Sequence, residues 1–189
     1  MNVITFREAW QYGGSLMWVL TALSVAAFAV FVYVWFSQRR NALMPHALVL
    51  DVLAAFRKGD SIAARGLAER TPCAFSELVL ARDVAAEGAR IASRLNASVE
   101  WLADVAAIAP MVGLLGTVLG MFGAFGGIAS DVAANAKPVV LAQGVSQAIV
   151  TTIFGLAVAI PSLVAFAVLR RRAARRIAEL EVLADEIRQ

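Results

Sequence analysis

A single cysteine, Cys73, and a single histidine, His46, exclude a disulfide framework and any His/Cys metal cluster. Charge is scarce too, at 16% of the 189 residues, and it is missing altogether from three stretches. Residues 15–36, 105–129 and 139–169 contain no Asp, Glu, Lys, Arg or His. Proton relays through membranes generally run on ionisable residues within the spans, so this chain is not expected to pump protons by itself. No nucleophile–base pair, phosphate-binding loop or acid/base dyad is recognisable, so no enzyme activity, cofactor or metal is expected. The arginine runs Arg170-Arg171-Arg172 and Arg175-Arg176 read as topology signals beside anionic lipid, not as a nucleic-acid site. No secretory signal is expected: Arg7 is the only cation before the first apolar run, Glu8 cancels it, and no small-residue cleavage site follows.

Apolar residues dominate instead, at 60% of the chain, with a mean hydropathy of +0.74. A soluble domain carries about half, glycine included. Residues 15–36 suffice to cross about 30 Å of hydrocarbon. Trp18 near one end, with Trp10 and Tyr12 before it, and Tyr33 and Trp35 near the other suit the two membrane interfaces. This predicts transmembrane helix 1, preceded by a periplasmic N-terminus over 1–14.

The segment 37–104 differs in kind and is expected to be a cytoplasmic helical region. Its pattern predicts a helix over 46–58, stopping at Gly59-Asp60, and a short one over about 62–69, ending at Thr71-Pro72. From Phe75 an amphipathic helix should run without a break as far as Pro110. Cys73 is expected to be a buried or interfacial small residue, and His46 a surface one.

Transmembrane helix 2 is predicted over 105–129, a periplasmic turn over 130–138, transmembrane helix 3 over 139–169 and a cytoplasmic C-terminal helix over 170–189. Cations set the orientation. Most Lys and Arg lie in 39–104 and beyond 170, whereas the N-terminus and the 130–138 turn hold only Arg7 and Lys137. The fold class is therefore an all-α membrane protein with three transmembrane helices, long cytoplasmic helical extensions, and an outside N-terminus.

The second run is unusually rich in glycine, each costing about 1 kcal/mol against alanine in a water-exposed helix. At 100° per residue Gly113, Gly116, Gly120, Gly123 and Gly127 share one sector, with Thr117 on its edge. Such a stripe invites close backbone approach in lipid, and predicts a ring whose subunits meet through it. In the third run Gly144, Thr151, Gly155 and Ser162 share a face, with Thr152 about 80° away. Two readings stand for these threonines: bonds to their own i−4 carbonyls, or a polar pore lining together with Gln147. Pro110 interrupts the second run, and Pro161 removes a donor to the 157 carbonyl and should bend the third.

The stretch Ala109-Pro110-Met111-Val112-Gly113-Leu114-Leu115-Gly116-Thr117-Val118-Leu119-Gly120-Met121 resembles the second-span signature of the MotA/TolQ/ExbB proton-channel family. Gly144-Val145-Ser146-Gln147 through Thr151-Thr152 to Ala159-Ile160-Pro161 is similar to the third-span signature, and the likeness is strongest over about 95–175. More weakly, Gly59-Asp60 and Leu67-Ala68-Glu69-Arg70-Thr71-Pro72 resemble the cytoplasmic region of ExbB-like members.

The resemblance, rather than composition, implies a pentameric ring of this chain in the bacterial inner membrane. It implies an ExbD-like single-span partner supplying a membrane Asp, and a TonB-like protein driven by proton flow for outer-membrane transport. Thr117 and Thr152 match the pore-facing threonines of that family. Where ExbB and TolQ usually carry Glu, this chain has Gln147, which hydrogen-bonds but does not titrate. A TolQ-like role in envelope maintenance and a non-conducting membrane scaffold are the alternatives. The MotA branch usually has four spans and a larger cytoplasmic insert.

Overall fold

The structure, a computed structural model, describes residues 14–129 and 136–188. The expected N-terminal residues 1–13 and most of the expected 130–138 turn lie outside them. Among the described residues the regular elements are all helices: α1 (Leu16–Ser37), α2 (Arg40–Leu43), α3 (His46–Arg57), α4 (Ser61–Glu69), α5 (Ala74–Leu80), α6 (Val84–Ala129) and α7 (Lys137–Arg188). Of these, α1, α6 and α7 are long and apolar enough to cross a membrane. The chain divides into two compact units, 1–29 with 102–165, and 30–101 with 166–189.

In the first unit the usual size rule is reversed. Its interior is lined by small residues: Ala109, Ala124, Ala148 and Ala159 are buried, and Met17 and Leu20 of α1 close one side with Leu23, Val112, Phe154 and Val158 packed around them. The large side chains Met111, Leu114, Val118 and Phe122 of α6, and Ile149, Ile153 and Ile160 of α7, point outward. Lipid is as apolar as leucine, so burying them inside would gain nothing, whereas close backbone packing does.

The second unit has an ordinary core. Phe75, Leu78 and Val52 are buried beside Ala64, Ala68, Ile91 and Leu95, and Leu180 of α7 completes the cluster. Burying side chains of this size contributes roughly 1.5–3 kcal/mol each. Gly59 takes φ +76, which lets the chain turn sharply after α3. Asp60 then caps α4, accepting a hydrogen bond from the Ala63 amide at 2.9 Å. Cys73 is buried and opens α5 with a capping box: its Sγ accepts from the Ser76 amide at 3.4 Å, and Ser76 Oγ accepts from the Cys73 amide at 2.8 Å. His46 is exposed at the start of α3.

Continuity from Phe75 fails. Ala81 leaves the helix with φ −65 and ψ 142, and Asp83 starts a new one, accepting from the amides of Ala85 and Ala86 at 3.0 and 3.1 Å. The sequence signal for this break is Asp83 itself, an N-cap residue followed by an acid, Glu87, in the first turn. Glu87 pairs with Arg90, and the hydrogen bond from that guanidinium holds its carboxyl below the ordinary value. Past Asp83, α6 runs unbroken through Pro110, and α7 runs unbroken through Pro161. Ser162 Oγ donates to the Val158 carbonyl at 2.8 Å, one residue beyond the carbonyl that Pro161 leaves free.

Candidate functional site

The glycines of α6 meet α7 of the same chain, antiparallel and almost backbone to backbone. A Cβ on Gly113 would stand 3.1 Å from the Thr151 carbonyl and 3.3 Å from the Gly155 Cα. On Gly155 it would stand 2.8 Å from the Ala109 carbonyl and 3.0 Å from the Gly113 Cα. Two turns along, a Cβ on Gly120 would lie 2.9 Å from the Gly144 carbonyl, and one on Gly144 would lie 2.7 Å from the Gly120 carbonyl. Gly127 closes the seam against Val140, whose Cγ1 would be 2.9 Å away. The contact the stripe makes is therefore within one subunit. The expectation that it forms the subunit boundary is corrected, because α7 already fills the space a second copy would need.

Gly123 takes no part in this seam. Nothing lies within 4 Å of where its Cβ would be, and buried Ala124 takes its place against Gly144. The seam runs 113, 116, 120, 124, 127, an average step near 3.5 residues. That is the step of a left-handed pair of helices, whereas counting at 100° per residue favours a straight helix and hence 123.

The threonines separate by role. Thr151 is fully buried and sits in the space that Gly116 leaves by lacking a side chain. Its hydroxyl lies within hydrogen-bonding distance of its own helix's carbonyls at Gln147 and Ala148, 3.1 and 3.0 Å away. Thr151 is thus a packing residue of the pair, and the i−4 reading holds for it. Thr152 is half-buried; its hydroxyl is 3.3 Å from the Ala148 carbonyl and 3.5 Å from the Gly113 carbonyl on α6. Thr117 is also half-buried and donates to the Leu114 carbonyl at 2.6 Å. Thr152 and Thr117 therefore keep a margin that Thr151 lacks.

Gln147 leans toward the start of α1. Gly14 there has φ +66, and a Cβ on it would stand 2.7 Å from the Gln147 side-chain nitrogen. Any other residue at Gly14 would meet both obstacles at once. This contact has no local sequence signature, since it joins residues far apart in the chain.

The site therefore offers hydroxyls and a carboxamide in an apolar surround. It can orient water or a partner's polar group, but it holds no group that stores a proton. Three long apolar helices with a small-residue interior define a multi-span α-helical membrane protein. The model of the MotA/TolQ/ExbB proton channel family matches residues 57–182, a segment that includes all of α6 and most of α7. The chain belongs to that family.

Among its relatives, the biopolymer transport protein ExbB of Pseudomonas putida is 35% identical over 133 residues, 70% of this chain and 37% of its own length. The Tol-Pal system protein TolQ of Pseudomonas aeruginosa is 37% identical over 93 residues, 49% of this chain and 39% of its own. An ExbB-like biopolymer transport protein of Synechocystis is 32% identical over 173 residues, covering 83% of this chain and 67% of its own. The chain thus spans under two fifths of the two Pseudomonas relatives.

Proposed function

We propose that this chain is the multi-span subunit of an ExbB-like proton-driven stator in the bacterial inner membrane, with its N-terminus periplasmic and its C-terminus cytoplasmic. Five copies form a ring around the spans of an ExbD-like partner, whose membrane Asp carries the proton. The flow drives a TonB-like protein for transport across the outer membrane. One observation carries this reading. The family match covers an α6–α7 pair that is closely packed through glycine, carries hydroxyls at Thr117 and Thr152, and has no titratable residue in either apolar run. Such a pair supplies a fixed polar track, and the moving charge must then come from another chain.

The TolQ relative matches at about the same identity as the ExbB relative, though over a shorter segment, and coupling to a Tol-type system is the second reading. Co-purification from membranes, followed by mass spectrometry of the bound single-span protein, separates the two. The mechanism itself is tested by proton flux in liposomes. The purified chain alone should be nearly proton-tight, and flux should appear when the partner is added. Thr152→Val keeps the shape, removes the hydroxyl, and should lower flux in the complex while the assembly keeps its native mass. Strong flux from the chain alone would overturn the mechanism, and full flux in the Thr152→Val complex would reduce that threonine to packing.

A further inference from the structure

The second unit holds an open cavity of about 960 Å³ whose lining is unlike anything in the core. Its walls include Trp35, Gln38 and Arg39 from the end of α1 and just beyond it, and Arg172, Arg175 and Arg176 from α7. Arg172 sits over Trp35, 3.5 Å from the ring centroid, and Arg39 lies 4.2 Å from the centroid of Phe36. Glu179 is the single acid on the wall, and it accepts from Arg176 at 2.9 Å. Cation therefore exceeds anion in the cavity.

The decisive residue is Gln38. It is only 4% exposed, and neither its side-chain nitrogen nor its oxygen has a hydrogen-bond partner among the described residues. An amide buried in this way is destabilising while it stays unsatisfied. A turn of its side chain toward the cavity it lines would let the amide nitrogen donate to phosphate oxygens together with the guanidinium groups. The cavity also lies where the apolar runs end, at Phe36 on one side and Leu169 on the other. In a membrane that is the level of lipid headgroups.

We propose that this cavity binds the phosphate of an anionic phospholipid headgroup, with Gln38 donating to it and Arg39, Arg172 and Arg175 neutralising it. The inference does not depend on proton conduction or on any partner chain. It requires only that α1 and α7 sit in a bilayer.

The test uses the full chain purified in mild detergent, with lipid retention read by native mass spectrometry. Phosphatidylglycerol should be retained at least about tenfold better than phosphatidylcholine, given a strength near 1 kcal/mol per basic residue at an anionic surface. The double variant Arg172→Gln/Arg175→Gln should lose about thirtyfold of that retention, whereas Arg172→Lys/Arg175→Lys should keep most of it. Gln38→Leu separates a binding role from a structural one. It should raise the melting temperature of the lipid-free chain, by removing the unsatisfied amide, and lower phosphatidylglycerol retention at the same time.

Equal retention of the two lipids would overturn the proposal. So would unchanged phosphatidylglycerol retention in both Gln38→Leu and the double Gln variant, with helical circular dichroism intact. Displacement of phosphatidylglycerol by millimolar inorganic phosphate would refute the lipid assignment and give the site to a free phosphate.

Discussion

At the scale of single residues, the glycines of α6 are not equivalent. Gly120 lies against backbone on α7, whereas Gly123 faces open space. Gly120→Ala should destabilise the protomer by roughly 1–3 kcal/mol, as overpacking does. Gly123→Ala should be neutral, or stabilising by up to about 1 kcal/mol through helix propensity. Denaturant titration in mixed micelles checks both, and equal effects at the two positions would contradict the seam. The face itself is legible by counting residues around a helix, but its exact members are not. Wrapping two helices around each other shifts the repeat from 3.6 toward 3.5, and that shift exchanges Gly123 for Ala124. Thr151 follows the same logic. Its hydroxyl already bonds its own helix, so Thr151→Val should leave stability within about 1 kcal/mol of wild type.

At the scale of elements, the helices outside the apolar runs depend on caps and on one core. The Asp83 side chain accepts from the amides of Ala85 and Ala86 at the start of α6. Asp83→Ala should cost about 1 kcal/mol and increase hydrogen exchange over 81–87. Phe75 is fully buried in the second unit's core, and Phe75→Ala should cost about 3–5 kcal/mol. A melting curve that did not move for Phe75→Ala would contradict the packing described. Among the described residues α3 and α4 end within about a residue of where their sequence signals place them. The glycine at position 59 and the proline at position 72 leave little choice. The break at 81–83 is harder to read, because both flanks are amphipathic and helix-forming. Only the Asp83 side chain and the packing of α5 against the core decide where one helix stops and the next begins.

At the scale of the whole molecule, the proposed topology is directly measurable. In a Cys73→Ser background, which puts a capping hydroxyl at α5 in place of the thiol, cysteines placed by Lys58→Cys and Ala174→Cys should label only from the cytoplasm. A cysteine placed by Asn135→Cys should label only from the periplasm, and reversed accessibility would refute the orientation. The proposed ring should appear as a single native mass in mild detergent. With most of the glycine face taken, its subunit contacts are expected to draw on outward faces of the helices, where Leu114, Val118 and Phe122 are exposed. Phe122→Ala should accordingly lower the oligomer while leaving the α6–α7 seam and helical content unchanged.

Composition and order alone determine that three uncharged runs exist, that cations flank two sides of them, and that glycine concentrates on one face of the second. These are one-dimensional facts: hydrocarbon excludes charge over a fixed length, and a helix repeats every 3.6 residues, so a string of letters carries them in full. What the glycine face meets, which threonine is sealed inside and which keeps a free margin, and that Gln38 is buried without a partner beside four arginines all join residues far apart in the chain. No local rule specifies such pairings. They follow from which faces come together once backbone contact, polar satisfaction and the twist of paired helices are met at the same time.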